Sequence, residues 1–379
     1  MTPHVKPVLD YPFESPPASG YREVSDGIRW IRLPLPWSLD HINLYLIRDG
    51  DGWTLVDTGV QGQTCRAEWK TLFNTALDGL PIVRIFVTHM HPDHYGLAGW
   101  LAEQFDCPIY MTKGEHDLAN YLLTRSEEDV PDYYVNHFLL AGVSEDFAPM
   151  IRASGFNNYA KGVSIPPEGY ERLEDGQIHT IGDRRWQIII GNGHSPEHAC
   201  LFCLDEPLMI SGDQVLPRIS SNVSVHARDP DDELTGAITY NNPLAQWMAS
   251  LDRFMDIPGN PLILPAHGLA FRSLYPRLSS QKLRHTEQLH LLMERCREPR
   301  TVIGTFTALY NRRLEGMDFM MAIGESFAHL HLLESTGAMK RSLDDGKFMF
   351  ETCSDKSAAE LVENALSLPG IRLPKLSFA

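Results

Sequence analysis

Thr88-His89-Met90-His91-Pro92-Asp93-His94 places three imidazoles and a carboxylate within six positions. Neutral imidazole is the commonest transition-metal ligand and a neighbouring carboxylate adds a harder oxygen donor, so the stretch reads as a metal-binding loop. The residues before it, 82–87, are mostly β-branched or aromatic and alternate, which predicts a strand running into the loop. Ligands at a strand end can fold onto one point. A continuing strand would send successive side chains to opposite faces.

Working outward, Leu55-Val56-Asp57-Thr58-Gly59 precedes this loop, and Gly193-His194-Ser195-Pro196, Ser211-Gly212-Asp213 and Pro265-Ala266-His267-Gly268 follow it. Each of the last three comes after a strand-like run, at 186–190, 208–210 and 262–264. Together with the HxHxDH pattern of His89, His91, Asp93 and His94, this set resembles the metallo-β-lactamase-fold hydrolases over roughly residues 20 to 270. The resemblance implies an α/β protein, a four-layer αββα sandwich. It assigns His89, His91 and His194 to one divalent metal ion and Asp93, His94 and His267 to a second, with Asp213 bridging. Two such ions sit about 3.5 Å apart around a shared water. Three histidines suit zinc at the first site, and the mixed set at the second accepts zinc, iron or manganese. Asp57 is the candidate acceptor for an imidazole nitrogen that faces away from metal, with strand capping as the alternative. Ser195 and His198 read as residues behind the ligands or in the turn, with proton donation by His198 as an alternative.

The bulk composition fits an ordinary globular enzyme: 379 residues, 43% hydrophobic and 22% charged. No apolar run approaches the roughly 20 residues that span a bilayer, and residues 1–20, rich in proline, lack the apolar core of a signal peptide. A cytoplasmic protein without membrane partners is expected. Six cysteines are too sparse for a disulfide framework, and Cys200-Leu201-Phe202-Cys203 lies in a strand-like run whose positions three apart face opposite sides, so it is read as core. Residues 1–270 carry 18 Lys and Arg against 36 Asp and Glu, and residues 271–352 carry 12 against 10. An acidic body opposes binding to phosphate backbones, so no nucleic-acid partner is expected.

Four parts follow from the pattern: an N-terminal extension to residue 20, a hydrolase domain over 21–270, a helical module over 271–352 and a tail over 353–379. Within the hydrolase domain, residues 115–185 exceed what the core fold needs and read as a helical cover. Helical spacing at 117–123 and 135–150 accompanies Tyr121, Tyr133, Tyr134, Phe138, Phe147, Phe156 and Tyr159, which either line a substrate pocket or pack the cover's own core. After His267 the spacing predicts helices at 279–296, 301–310 and 317–333, then a hairpin turning at Asp345-Gly346. Helices followed by such a hairpin resemble the winged-helix module of one branch of the family, which implies packing on the hydrolase domain or on another subunit of a homo-oligomer.

The expected chemistry is hydrolysis by a metal-bridging hydroxide, because two metals lower the pKa of water from about 15.7 toward about 7. Asp93 would also orient that nucleophile or carry its proton. A thioester of coenzyme A or glutathione type leads, since a thiolate, of pKa about 8.5, leaves without strong acid assistance. Arg218 is the candidate contact for an anionic part of such a small-molecule substrate. Lactone hydrolysis and metal-dependent RNA cleavage are the alternatives. Asp213 disfavours β-lactam hydrolysis, and the complete ligand set disfavours a non-catalytic metal-binding protein.

Overall fold

The computed structural model describes residues 7–125, 129–153, 159–227, 242–368, 371, 373 and 375–378. The chain begins with β1 (Arg22–Ser25), β2 (Ile28–Pro34), β3 (His41–Asp49), β4 (Gly52–Val56), α1 (Gln63–Thr75), β5 (Ile82–Phe86), α2 (Pro92–Tyr95), α3 (Ala98–Phe105) and β6 (Ile109–Thr112). There follow the helices α4 (Lys113–Thr124), α5 (Asp132–Leu140), α6 (Ala148–Ala153) and α7 (Tyr159–Gly162). Next come β7 (Glu171–Leu173), β8 (Ile178–Ile181), β9 (Arg184–Gly191), β10 (His198–Cys203), β11 (Leu208–Gly212), α8 (Pro243–Phe254) and β12 (Leu262–Pro265). The last part comprises α9 (Leu274–Arg295), α10 (Phe306–Leu309), α11 (Gly316–Ser335), β13 (Met339–Asp344), β14 (Lys347–Thr352) and α12 (Ala358–Leu366).

Strand alternation builds the layers. Along β3, Ile42, Leu44 and Leu46 pack outward against Trp69 of α1 and Leu101 of α3, while Tyr45 and Ile47 pack inward against Trp186 and Leu201. The first sheet runs in the order β1-β2-β3-β4-β5-β6-β7 and the second β12-β11-β10-β9-β8. The inner faces of the two sheets share one apolar cluster, and helices cover both outer faces, which gives four layers. Cys200 packs in the outer cluster with Met209 and Trp247, and Cys203 packs between the sheets with Leu208. The two thiols thus face opposite ways on β10, and both are free.

The cover is shorter and more broken than its sequence suggests. Its helices end at Gly162, and the residues from Glu171 onward enter the sheets: β7 pairs with β6, and β8 with β9. The expected helix over 135–150 stops at Leu140, and Gly142 turns with φ +101°, where a Cβ would lie 2.8 Å from that of Thr301. Of the aromatics, Phe138 and Tyr134 pack in the outer cluster, Phe147 is exposed, and Phe156 lies outside the described residues.

The C-terminal helices pack on the two-sheet part through a continuous core that joins Trp247 and Met248 of α8 to Leu289 and Leu292 of α9 and Leu330 and Leu333 of α11. Helix α9 starts at Leu274, five residues before the apolar spacing does. Pro276 stands in its first turn, where no backbone N–H would be bonded in any case. The segment read as helical at 301–310 is a 3-10 turn at Ile303–Thr305 followed by the short α10. Its start is tied down by the Arg300 and Phe350 backbones, which exchange hydrogen bonds of 2.8 and 3.0 Å. The hairpin turns at Asp345 and Gly346, both with positive φ, the conformation a two-residue type I′ turn demands. The tail is not loose: Leu361, Val362 and Ala365 of α12 lie in the same core, and Arg272 N–H bonds the Asp10 carbonyl at 2.8 Å, docking the N-terminal extension. Among the described residues no helix is long and apolar enough to cross a membrane.

Between α9 and α11, His285 Nδ1 and His329 Nε2 lie 2.9 Å apart, and His329 Nδ1 donates to the Glu325 carbonyl at 2.8 Å. His329 Nε2 is therefore the acceptor and His285 Nδ1–H the donor, so both rings are neutral. Burial lowers both pKa values, that of His285 well below the ordinary histidine range. The unfolded chain takes up protons at these rings below about pH 6.5 and the fold does not, so their contribution is whole above that pH and is lost as pH falls. Urea titrations from pH 7 to 5 are expected to show stability falling with acid, and His285→Gln should shallow that slope by about 1 kcal/mol per pH unit.

Candidate metal centre

The loop after β5 carries the first ligands because the chain turns there into α2, with His91 preceding Pro92 at the helix start. His89 Nε2 lies 2.8 Å from His91 Nδ1 and 3.2 Å from His194 Nε2. Asp213, just past β11, directs Oδ2 toward His194 Nε2 at 3.4 Å and Oδ1 toward His267 Nε2 at 3.2 Å and His94 Nε2 at 3.7 Å. Asp93 Oδ2 completes the second group, 3.4 Å from His267 Nε2 and 3.6 Å from His94 Nε2. The side chains thus form two clusters, His89, His91, His194 and Asp213 beside Asp93, His94 and His267, each with its ligand atoms within 4.8 Å of one another.

The hydrogen bonds behind the ligands decide which nitrogen faces inward. His194 Nδ1 donates to the Asn222 carbonyl and His267 Nδ1 to the His41 carbonyl, both at 2.7 Å, while His94 Nδ1 meets Asp57 Oδ2 at 2.8 Å. His89 Nδ1 lies 3.1 Å from the Thr88 hydroxyl, which itself sits within 3.0 Å of both Asp57 oxygens. With their outer nitrogens engaged as donors, the Nε2 atoms of His89 and His194 present lone pairs to each other across 3.2 Å. A cation between them removes that repulsion. His94 Nε2 and Asp213 Oδ1 are buried without a hydrogen-bond partner, as ligand atoms awaiting an ion would be.

The electrostatics point the same way. Burial, with the neighbouring imidazoles, holds His89 well below the ordinary histidine pKa and brings His91 down to about 3, so both stay neutral. In the second group burial opposes protonation, yet Asp57, Asp93 and Asp213 overcome it and lift His94 to about 9. The carboxylates there demand positive charge, and the residues present fit a pair of divalent ions.

Asp57 sits behind His94 and also accepts the Thr88 N–H at 2.8 Å. His198 is buried at the start of β10, where its Nε2 accepts the Asp213 N–H at 3.0 Å and its Nδ1 faces Cys200 Sγ at 3.7 Å. With Nε2 accepting, the ring proton sits on Nδ1 and faces Cys200 Sγ, so His198 holds the Asp213 backbone and turns its N–H away from the two ligand groups. Arg218 is exposed and lies outside both clusters. Sequence reasoning passed over Glu115, in the first turn of α4 and fully buried, whose carboxylate accepts the Met90 N–H at 3.0 Å, the Glu197 N–H at 2.8 Å and the Ser195 hydroxyl at 2.6 Å. Two of its partners are backbone groups, which every residue has, so the sequence carries no mark of them.

Comparison with known proteins agrees with this geometry. The family model for the metallo-beta-lactamase superfamily matches residues 37–267, and that for the metallo-beta-lactamase-like C-terminal domain matches 289–353. A beta-lactamase domain protein from Burkholderia ambifaria, solved by crystallography, is 37% identical with a TM-score of 0.82, covering 91% of this chain and 98% of that one. An atrochrysone carboxyl ACP thioesterase of Aspergillus fumigatus is 26% identical over 72% of this chain, and one of Cryptosporiopsis sp. is 24% identical over 74%. The chain spans 48% and 66% of the length of those two relatives. With the superfamily match running over most of the two-sheet sandwich and ending on His267, the chain belongs to the metallo-beta-lactamase superfamily.

Proposed function

We propose that this protein is a dinuclear-metal hydrolase of thioesters or related esters. One observation carries the reading: the Asp213 carboxylate divides its two oxygens between the two ligand groups, as a bridge must. When bound, two divalent ions supply Lewis acidity for a carbonyl and bring the pKa of water toward neutrality. The chain's own work is to position and to exclude. Asp93, with one edge toward His94 and His267, orients the attacking water and holds its proton. His198 turns its Nδ1–H toward Cys200, and both Glu115 oxygens accept hydrogen bonds, so neither is aimed at a leaving group as an acid. A thiolate needs none, whereas an amine or alkoxide does, and this favours a thioester. The relatives named as ACP thioesterases support the same class.

A cavity of about 240 Å³ between α5, α11 and the β13–β14 hairpin, with Phe327 and Phe348 on its apolar wall and Glu334 and Arg341 on its charged one, is the proposed place for the acyl group. Arg218, exposed after β11, remains the proposed contact for an anionic part of the substrate, and the net charge of −16 argues against nucleic acid.

A panel of coenzyme A, glutathione and acyl-carrier thioesters, assayed by thiol release on metal-analysed protein, tests this. Metal-dependent release is expected, and Phe327→Ala should raise KM for long acyl chains about tenfold while leaving acetyl thioesters unchanged. Silence from fully metallated protein, with turnover of lactones, would overturn the thioester assignment.

A further inference from the structure

We infer that Glu115 is the positioning residue of the first metal group alone, and that the helical cover sets the affinity of that one site. This rests on the two-ion reading above. The Met90 peptide, between the ligands His89 and His91, is gripped at both ends by the cover: Glu115 Oε2 of α4 accepts its N–H at 3.0 Å, and the Tyr159 hydroxyl of α7 donates to its carbonyl at 2.5 Å. The other Glu115 oxygen accepts the Ser195 hydroxyl and the Glu197 N–H, so it also ties down the turn that carries His194. One fully buried carboxylate therefore joins the two segments that supply all three histidines of the first group.

The second group is held by other means. His94 rests on Asp57 and His267 on the His41 carbonyl, while the backbone of Asp213, shared by both groups, rests on His198. Among the described residues Glu115 bonds to none of Asp93, His94 or His267. His89 Nε2 and His91 Nδ1 must both reach one point although they are only two residues apart, which depends on the Met90 peptide keeping its orientation. A carboxylate can accept from three donors at once. A glutamine amide at the same place turns an NH2 toward one of them, and the grip opens on that side.

The experiment is a zinc titration of metal-free protein against a chromophoric chelator, on wild type, Glu115→Gln and Ser195→Ala. Cobalt spectra serve as a second readout of coordination, and thermal unfolding serves as the folding control. In Glu115→Gln one of the two binding events should weaken by about 10–100-fold, the scale seen when groups behind a ligand are lost, while the other stays within about threefold. Ser195→Ala, which keeps the carboxylate and its two backbone bonds, should weaken the same event by a smaller factor and settles the case if Glu115→Gln does not fold. Equal weakening of both events, or of neither, in a folded variant overturns the inference. A wild type that binds fewer than two ions overturns the two-ion reading, a result distinct from failure at Glu115.

Discussion

Asp213→Asn is expected to abolish hydrolysis while leaving the fold in place. Both oxygens of this carboxylate are committed, Oδ2 toward His194 and Oδ1 toward His267 and His94. An amide has one oxygen, so one group would face an NH2 and lose both a ligand atom and a negative charge. The backbone at this position is secured independently, with the N–H on His198 and the carbonyl accepting from the Ser221 hydroxyl. Loss of groups merely behind a metal ligand costs about 10–100-fold, so loss of the shared ligand should cost at least about 1000-fold in kcat/KM. Thiol release measured beside metal analysis and near-ultraviolet circular dichroism checks this. A variant with full metal content and near-normal turnover would refute the bridging role.

Gly193→Ala is expected to have the largest effect on stability. Gly193 has φ +106°, and a Cβ there would lie 2.4 Å from the Pro243 carbonyl oxygen, 2.5 Å from the Trp247 Cβ and 2.6 Å from the Trp247 nitrogen. The carbonyl oxygen and the nitrogen belong to the backbone of α8, so a rotamer change cannot relieve the overlap. Backbone strain and overpacking together should cost about 3–5 kcal/mol. Gly176→Ala is the matched control: φ is +78° but nothing lies within 4 Å, so only strain remains, about 1–2 kcal/mol. Urea unfolding midpoints at unchanged slope separate the two, and similar shifts for both would show that the contact with α8 is not what excludes a side chain at Gly193. Because His194 follows directly, any Gly193→Ala protein that folds should also bind metal poorly.

The ligand residues were legible because metal chemistry narrows the choice of side chain. Few types coordinate, and a strand end followed by a tight turn is among the few local structures that bring His89, His91 and His94 to one place. The strands β9, β10, β11 and β12 were legible as short apolar runs, because a strand buried on both faces has few polar positions. The helix end before Gly142 was passed over although a glycine after an apolar run is itself a stop signal; only the close approach of Thr301, 159 residues away, lay beyond the sequence. The early start of α9 was missed because Pro276 breaks a helix in mid-run but not in its first turn.

By itself, then, the sequence marked which side chains gather at the candidate metal centre, since that depends on side-chain type and spacing. Tertiary structure alone decided how those side chains are held. The outer nitrogens rest on the Asn222 and His41 carbonyls, and two ligand turns close on Glu115 through the Met90 and Glu197 N–H groups. Peptide donors and acceptors are the same at every residue, so only folding in three dimensions selects which of them a buried imidazole or carboxylate will find.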